Sequence, residues 1–258
     1  MSYQIWQPVE TLRPYVRHLA ISRAESPDTY TVLPDTSLVV GFQFSGRISH
    51  LAENIERSLD VSGITGMLDQ YRIFKNIAGT SSILIVFTET GAAAFLATPL
   101  HELFGQSLSL EHFFTRADIN ETREKLEAAR TDNERLRIVE AFLLRQLKEL
   151  KADRMVAGAL HYIYQSKGTI RITKLAELLH SSQSPLEKRF RALVGASPKK
   201  FAGIVRARYV LDALNKNDQD TAEYLSAFYD QAHFIKDFKK FSSMTPEQYL
   251  KMLRHKEK

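Results

Sequence analysis

Two sets of side chains in the last part of the chain have types and spacing suited to reading the edges of DNA bases. Gln183, Ser184, Glu187 and Lys188 form the first, and Gln231, Ala232, His233 and Lys236 the second. Gln can pair bidentately with adenine, Lys with guanine, and an Ala methyl can meet the thymine methyl. Arg189, Arg191, Lys199, Lys200, Arg206, Lys239 and Lys240 lie nearby with charge that phosphates would use. Singly, each is an ordinary solvated residue. Their clustering on two similar helices points to double-stranded DNA.

Other chemistries find little support. The N-terminal histidines His18, His50, His101 and His112 form no His-x-His or His-x-x-x-His pair, and His101 and His112 fall in a helical or loop region beyond the strands. With no cysteine, disulfides, thiolate metal sites and cysteine nucleophiles are excluded, and a reducing compartment fits. Neither Gly-x-Ser-x-Gly nor a glycine-rich phosphate loop occurs. No catalytic residue, metal or cofactor is therefore expected. No apolar run reaches the roughly 18 residues of a membrane span, and the first residues lack the basic start and apolar block of a secretory signal. The expectation is a soluble cytoplasmic protein with no membrane partner.

The elements that must position the two sets are helices that repeat at an offset of 48 residues. Ser182 corresponds to Asp230, Leu186 to Phe234, Lys188 to Lys236, Phe190 to Phe238, Leu193 to Phe241, Ser197 to Thr245, Pro198 to Pro246 and Phe201 to Tyr249. In each copy a capping side chain opens a helix with apolar residues at i, i+4 and i+7, and a capped Ser-Pro or Thr-Pro starts the next. A shorter helix precedes each, Ile172 to Leu179 in the first copy and Ala222 to Ala227 in the second. Short helix, tight turn and capped second helix make a helix-turn-helix, whose second helix enters the major groove.

Charge divides with this organisation. Residues 1–150 hold 15 Lys+Arg against 19 Asp+Glu, whereas residues 151–258 hold 20 against 11, a net charge of +9 that suits a polyanion. In the first part, Val16 to Ser22, Ser37 to Phe44, Val61 to Gly66 and Ser82 to Thr88 read as strands of a sandwich or small barrel. Ala92 to Ala97 reads as a short helix. Asp118 to Glu121 and Thr131 to Glu134 have capping-box spacing, the latter before a stripe of Leu136, Val139, Leu143, Leu147 and Leu150. With no Gly or Pro after this stripe, a helix is expected to join residues 1–150 to residues 151–258. Trp6, Phe42, Phe44, Tyr71 and Phe74 are core residues or liners of a ligand pocket.

The stretches LAELLHSSQSPLEKRFRALVGASPKKF and YDQAHFIKDFKKFSSMTPEQYL resemble the paired helix-turn-helix domain of AraC-type (AraC/XylS) transcription regulators. The most specific residues are Phe228, Asp230, Phe234, Phe238, Lys239, Thr245 and Pro246. LRPYV and LPDTSLVVGF give residues 1–150 a weaker likeness to the cupin-like sensing or dimerisation domains that precede this module. The resemblance implies an α+β protein: an N-terminal mixed β-barrel (cupin-like) with appended helices, then a C-terminal all-α double helix-turn-helix. It also implies a linking helix over Pro198 to Leu214, a sequence-specific DNA-binding regulator, a small-molecule effector and a homodimer. His180, Ala227 and Ser243 stand where the pattern has Gly, at a cost of roughly 1 kcal/mol each where φ is positive, and Ser184 and Glu223 also depart from it. The rival reading is a ligand-binding or protein-interaction module whose DNA reading has degraded.

Overall fold

The computed structural model describes residues 1–52, 55–149, 151–215 and 231–256. Short apolar runs broken by Gly, Asp and Pro build an N-terminal part of strands β1 (Ser2–Trp6), β2 (Val16–Ala24), β3 (Asp28–Val32), β4 (Val39–Ser45), β5 (Ile48–Ala52), β6 (Ile55–Ser58), β7 (Ser62–Thr65), β8 (Arg72–Asn76), β9 (Thr80–Phe87) and β10 (Ser107–Ser109). They pair antiparallel in two sheets, ordered β1-β2-β9-β4-β7-β10 and β3-β8-β5-β6. The four expected strands are β2, β9, β4 and β7, the middle of the larger sheet. β10 lies between His101 and His112, within a segment expected to be helix or loop.

Because side chains alternate across a sheet, the larger sheet has two different faces. One face carries Leu19, Ile21, Val40, Phe42, Ile83 and Ile85 into a core shared with Leu126, Val139 and Phe142 of helices α1 (Arg116–Ala128) and α2 (Asp132–Gln146). Phe142 meets Phe42 edge-on at 5.5 Å. On the other face the register aligns His18 with Val86, Val39 and Thr65, and Ala20 with Leu84, Gly41 and Gly63. Leu84 is the bulky side chain of that middle row. Between this face, with His18, Val39, Thr65, Leu84 and Val86, and Tyr30, Val32, Ile48 and Phe74 of the smaller sheet lies a cavity of about 420 Å³. Of the five residues weighed as pocket liners, only Phe74 lines this cavity; Phe42 belongs to the helix-side core, and Trp6 and Phe44 pack against it.

The helix starts differ in detail from the sequence reading. Thr131 and Glu134 form the expected capping box of α2. Helix α1 is capped instead by Thr115, which accepts from the Asp118 N–H, so Asp118 sits in the first turn, where a carboxylate suits the helix dipole. The short helix expected over 92–97 is a 3-10 turn at Gly91–Ala94. No helix joins the two parts: α2 ends at Gln146, Leu147 turns extended at ψ 124°, and the Lys148 N–H donates to the Ala94 carbonyl at 2.8 Å. Tying the chain there satisfies a backbone group that a longer helix would have used. Leu150 lies outside the described residues.

The C-terminal part is helical: α3 (Arg154–Gln165), α4 (Ile172–Leu178), α5 (Gln183–Val194), α6 (Pro198–Asn215), α7 (Gln231–Ser242) and α8 (Pro246–Lys256). Leu186 and Phe190 of α5, Phe201 of α6, and Phe238 and Phe241 of α7 share one core with Met67 of the strand region. The expected helix over Ala222 to Ala227, with Glu223, Phe228 and Asp230, lies outside the described residues. Among the described residues no helix is long and apolar enough to cross a membrane.

Candidate nucleic-acid interface

Helix α5 begins after a turn that needs a left-handed residue, and His180 takes it with φ 47°. Ser243, after α7, does the same at φ 69°. Both are positions where the resemblance expects Gly. Ser182 occupies the N-cap of α5 in extended conformation, but its hydroxyl makes no capping bond, contrary to expectation. The following helices keep their caps. Ser197 Oγ accepts from the Lys200 N–H, and Thr245 and Gln248 cap each other's backbone N–H reciprocally.

With Leu186, Phe190 and Val194 of α5 turned inward, the opposite face exposes Gln183, Ser184, Glu187 and Lys188 together. On α7, Phe238 and Phe241 point inward and Lys236 and Lys239 are exposed. Gln231, Ala232 and His233 occupy the first turn of α7, and their side chains lie outside the described residues. Among the described residues neither Lys188 nor Lys236 is drawn into an ion pair.

The expected phosphate contacts differ in their surroundings. Lys199 and Lys239 are exposed. Lys199 and the half-buried Arg206 border, with Gln183, an open groove of about 460 Å³ between α4, α5 and α6. Arg171, which the sequence reading missed, lines the same groove as the N-cap of α4. Arg189, Arg191, Lys200 and Lys240 have acidic partners. Arg189 Nε donates to Asp153 at 2.7 Å, the carboxylate that also caps α3, and Arg191 lies 3.6 Å from Glu187. Lys240 and Lys200 both reach Asp69 of the strand region, at 3.0 and 3.5 Å, and Lys200 also lies over the Phe104 ring at 4.2 Å. Spacing gave no sign of Asp153 or Asp69, which come from distant stretches, whereas Glu187 and Arg191 stand at the i, i+4 spacing of helix neighbours.

A second set of contacts ties the parts together. Tyr164 of α3 donates to Glu89 at 2.6 Å and lies 3.1 Å from the Thr36 hydroxyl, and Arg17 reaches the same Glu89 oxygen at 2.6 Å. Burial, with the Glu89 carboxylate beside it, pushes the Tyr164 phenol up. Arg208 of α6 reaches Asp35 at 3.3 Å.

The cavity between the sheets holds polar atoms among apolar ones. Ser37, 5% exposed, lines it with a hydroxyl that has no partner among the described residues. Burial and neighbouring Arg17 lower the pKa of His18, favouring neutral imidazole, and burial with Asp28 pushes the Tyr30 phenol up to about 12. Asp35 is the one acidic side chain among its liners. Among the described residues no group of three or more His, Asp or Glu could hold a metal ion.

Residues 175–252 match the family described as a helix-turn-helix domain, and residues 4–109 match a domain of unknown function, DUF6597. No curated protein matches. Among solved structures, ToxT from Vibrio cholerae O395 is 15% identical, covering 93% of this chain and 98% of its own, with a TM-score of 0.45. ToxT of strain SCE256 bound to an unsaturated fatty acid is 13% identical over 92% and 95%, with a TM-score of 0.43. The AraC-like transcriptional activator CuxR is 14% identical over 87% and 84%, with a TM-score of 0.28. These likenesses are too loose to carry over the role of any residue.

Proposed function

We propose that this chain, whose residues 175–252 match a helix-turn-helix family, is an AraC-type regulator that controls transcription by laying α5 and α7 into successive major-groove segments of one duplex. The observation that carries this reading is that Lys188 and Lys236 are exposed, and without an ion pair among the described residues, on the outer faces of two helices whose inner faces share one core. Residues 151–258 act as the DNA-binding domain and residues 1–150 as the sensing or dimerisation domain. In the former, Gln183, Ser184, Glu187 and Lys188 read bases in one half-site, and Lys236 with Gln231, Ala232 and His233 in the other. Lys199, Lys239, Arg206 and Arg171 hold phosphates. The protein works by recognition, without catalysis, in the cytoplasm.

The inter-sheet cavity is the effector site of this reading. Its lining favours a small, largely apolar molecule with a polar group able to satisfy the Ser37 hydroxyl, since a buried unpaired hydroxyl costs about 1–3 kcal/mol.

The test is salt dependence. For the full chain on a duplex, log K should fall linearly with log salt, with slope near −0.9 for each phosphate neutralised. Lys199→Ala should weaken all sequences alike and flatten the slope by about 0.9. Binding indifferent to salt would overturn the proposal, and a Lys199→Ala slope equal to wild type would remove Lys199 from the phosphate set.

A further inference from the structure

One segment, residues 66–71 after β7, faces both the cavity and the helices. Gly66 and Leu68 line the inter-sheet cavity, and Leu68 is 7% exposed. The residues between and after them turn the other way. Met67, 1% exposed, is part of the core formed by α3 to α8. The Asp69 carboxylate binds Lys240 and Lys200, and the Tyr71 N–H donates to the Lys240 carbonyl at 3.3 Å. The segment is anchored at its start. A Cβ on Gly66 would stand 1.8 Å from the Leu103 carbonyl oxygen, and the Gly66 N–H and the Met67 carbonyl are bonded to Gln106 and Gly105.

Asp69 therefore neutralises two lysines at once, one at the start of α6 and one near the end of α7. Its partial burial opposes ionisation, yet the two ammonium groups hold its carboxyl below the usual range. A lysine in this pair cannot at the same time neutralise a phosphate. Resting on the DNA-binding reading above, we propose that residues 66–71 form a two-faced strap: Asp69 withholds Lys200 and Lys240 from DNA, and whatever fills the cavity acts on DNA affinity through Leu68. Leu68 is bonded directly to Met67 and Asp69, so a shift that makes room at Leu68 displaces both with it. The cavity then needs no contact of its own with the recognition helices.

The experiment is a titration of the full chain against a mixed-sequence 30-base-pair duplex at several salt concentrations. Asp69→Asn keeps the shape and removes the charge. Freeing two lysines should steepen the salt slope by about 1.8 and tighten binding at least tenfold at about 50 mM salt. Glu25→Gln, the same charge change on an exposed turn, should leave the slope as in wild type. An Asp69→Asn slope equal to wild type, with wild type bound, overturns the latch. A wild-type chain that binds no duplex overturns the DNA-binding reading instead.

The cavity side is tested by Leu68→Ala, or Leu68→Val if the former fails to fold, in both backgrounds. Loosening the strap should raise DNA affinity severalfold in the wild-type background and change nothing once Asp69 is Asn. Equal effects in the two backgrounds, or none in either, would overturn the coupling.

Discussion

Phe201→Ala should destabilise the C-terminal helices by about 3–5 kcal/mol, the cost of deleting a fully buried aromatic ring and leaving a cavity behind. Phe201 is 0% exposed and sits between Phe190 of α5, at 5.5 Å, and Tyr164 of α3, at 5.8 Å, both edge-on. Its loss therefore unseats the helix bearing Lys188 and the helix that supplies the Tyr164 contact to Glu89 and Thr36. A urea titration followed by far-UV circular dichroism should show the midpoint falling with DNA binding lost in parallel. A change below about 1 kcal/mol, the range of an exposed substitution, would mean that the ring is not packed as described.

Lys188→Ala should cost about 1–3 kcal/mol on the preferred duplex and relax preference at one base pair, because a bidentate contact to guanine is lost while phosphate contacts stay. Lys236→Ala should do the same one helical turn away, roughly 34 Å along the duplex. Both lysines are exposed, so neither substitution should disturb the core. Competition binding against duplexes changed at single positions separates this outcome from a uniform loss. Should Lys188→Ala alter preference while Lys236→Ala changes neither affinity nor preference, α7 would be a structural element and the two-site reading would fail.

The four strands legible in the sequence, β2, β4, β7 and β9, lie side by side in the middle of the larger sheet, where packing on α1 and α2 demands Val, Ile and Phe on one face. The strands it did not yield lie at edges or in the smaller sheet. β1 and β6 are almost wholly exposed, and β3 has the polar run DTYTV, so hydrophobic patterning had nothing to register there. The helix stripes of α5 and α7 were legible because each carries a repeat of inward Leu and Phe three or four residues apart. The linker was not, since Leu147 continues the apolar spacing of α2 while its backbone has already left the helix.

The site was legible in part for a related reason. Exposure of Gln183, Ser184, Glu187 and Lys188 follows from helix periodicity once Leu186 and Phe190 are known to point inward. Whether a lysine is available for phosphate depends on long-range partners. Lys200 and Lys240 look like Lys199 and Lys239 in sequence, yet Asp69, far away along the chain, distinguishes them. Nothing local in either stretch carries that information.

The most direct measurement of the central claim is selection of bound fragments from a random duplex pool by the full chain, followed by affinity against salt for the enriched sequence. The account predicts enrichment of two short motifs about one helical turn apart, roughly 34 Å, with a slope near −0.9 for each phosphate neutralised. A bound pool indistinguishable from the input, or a complex indifferent to salt, would contradict it.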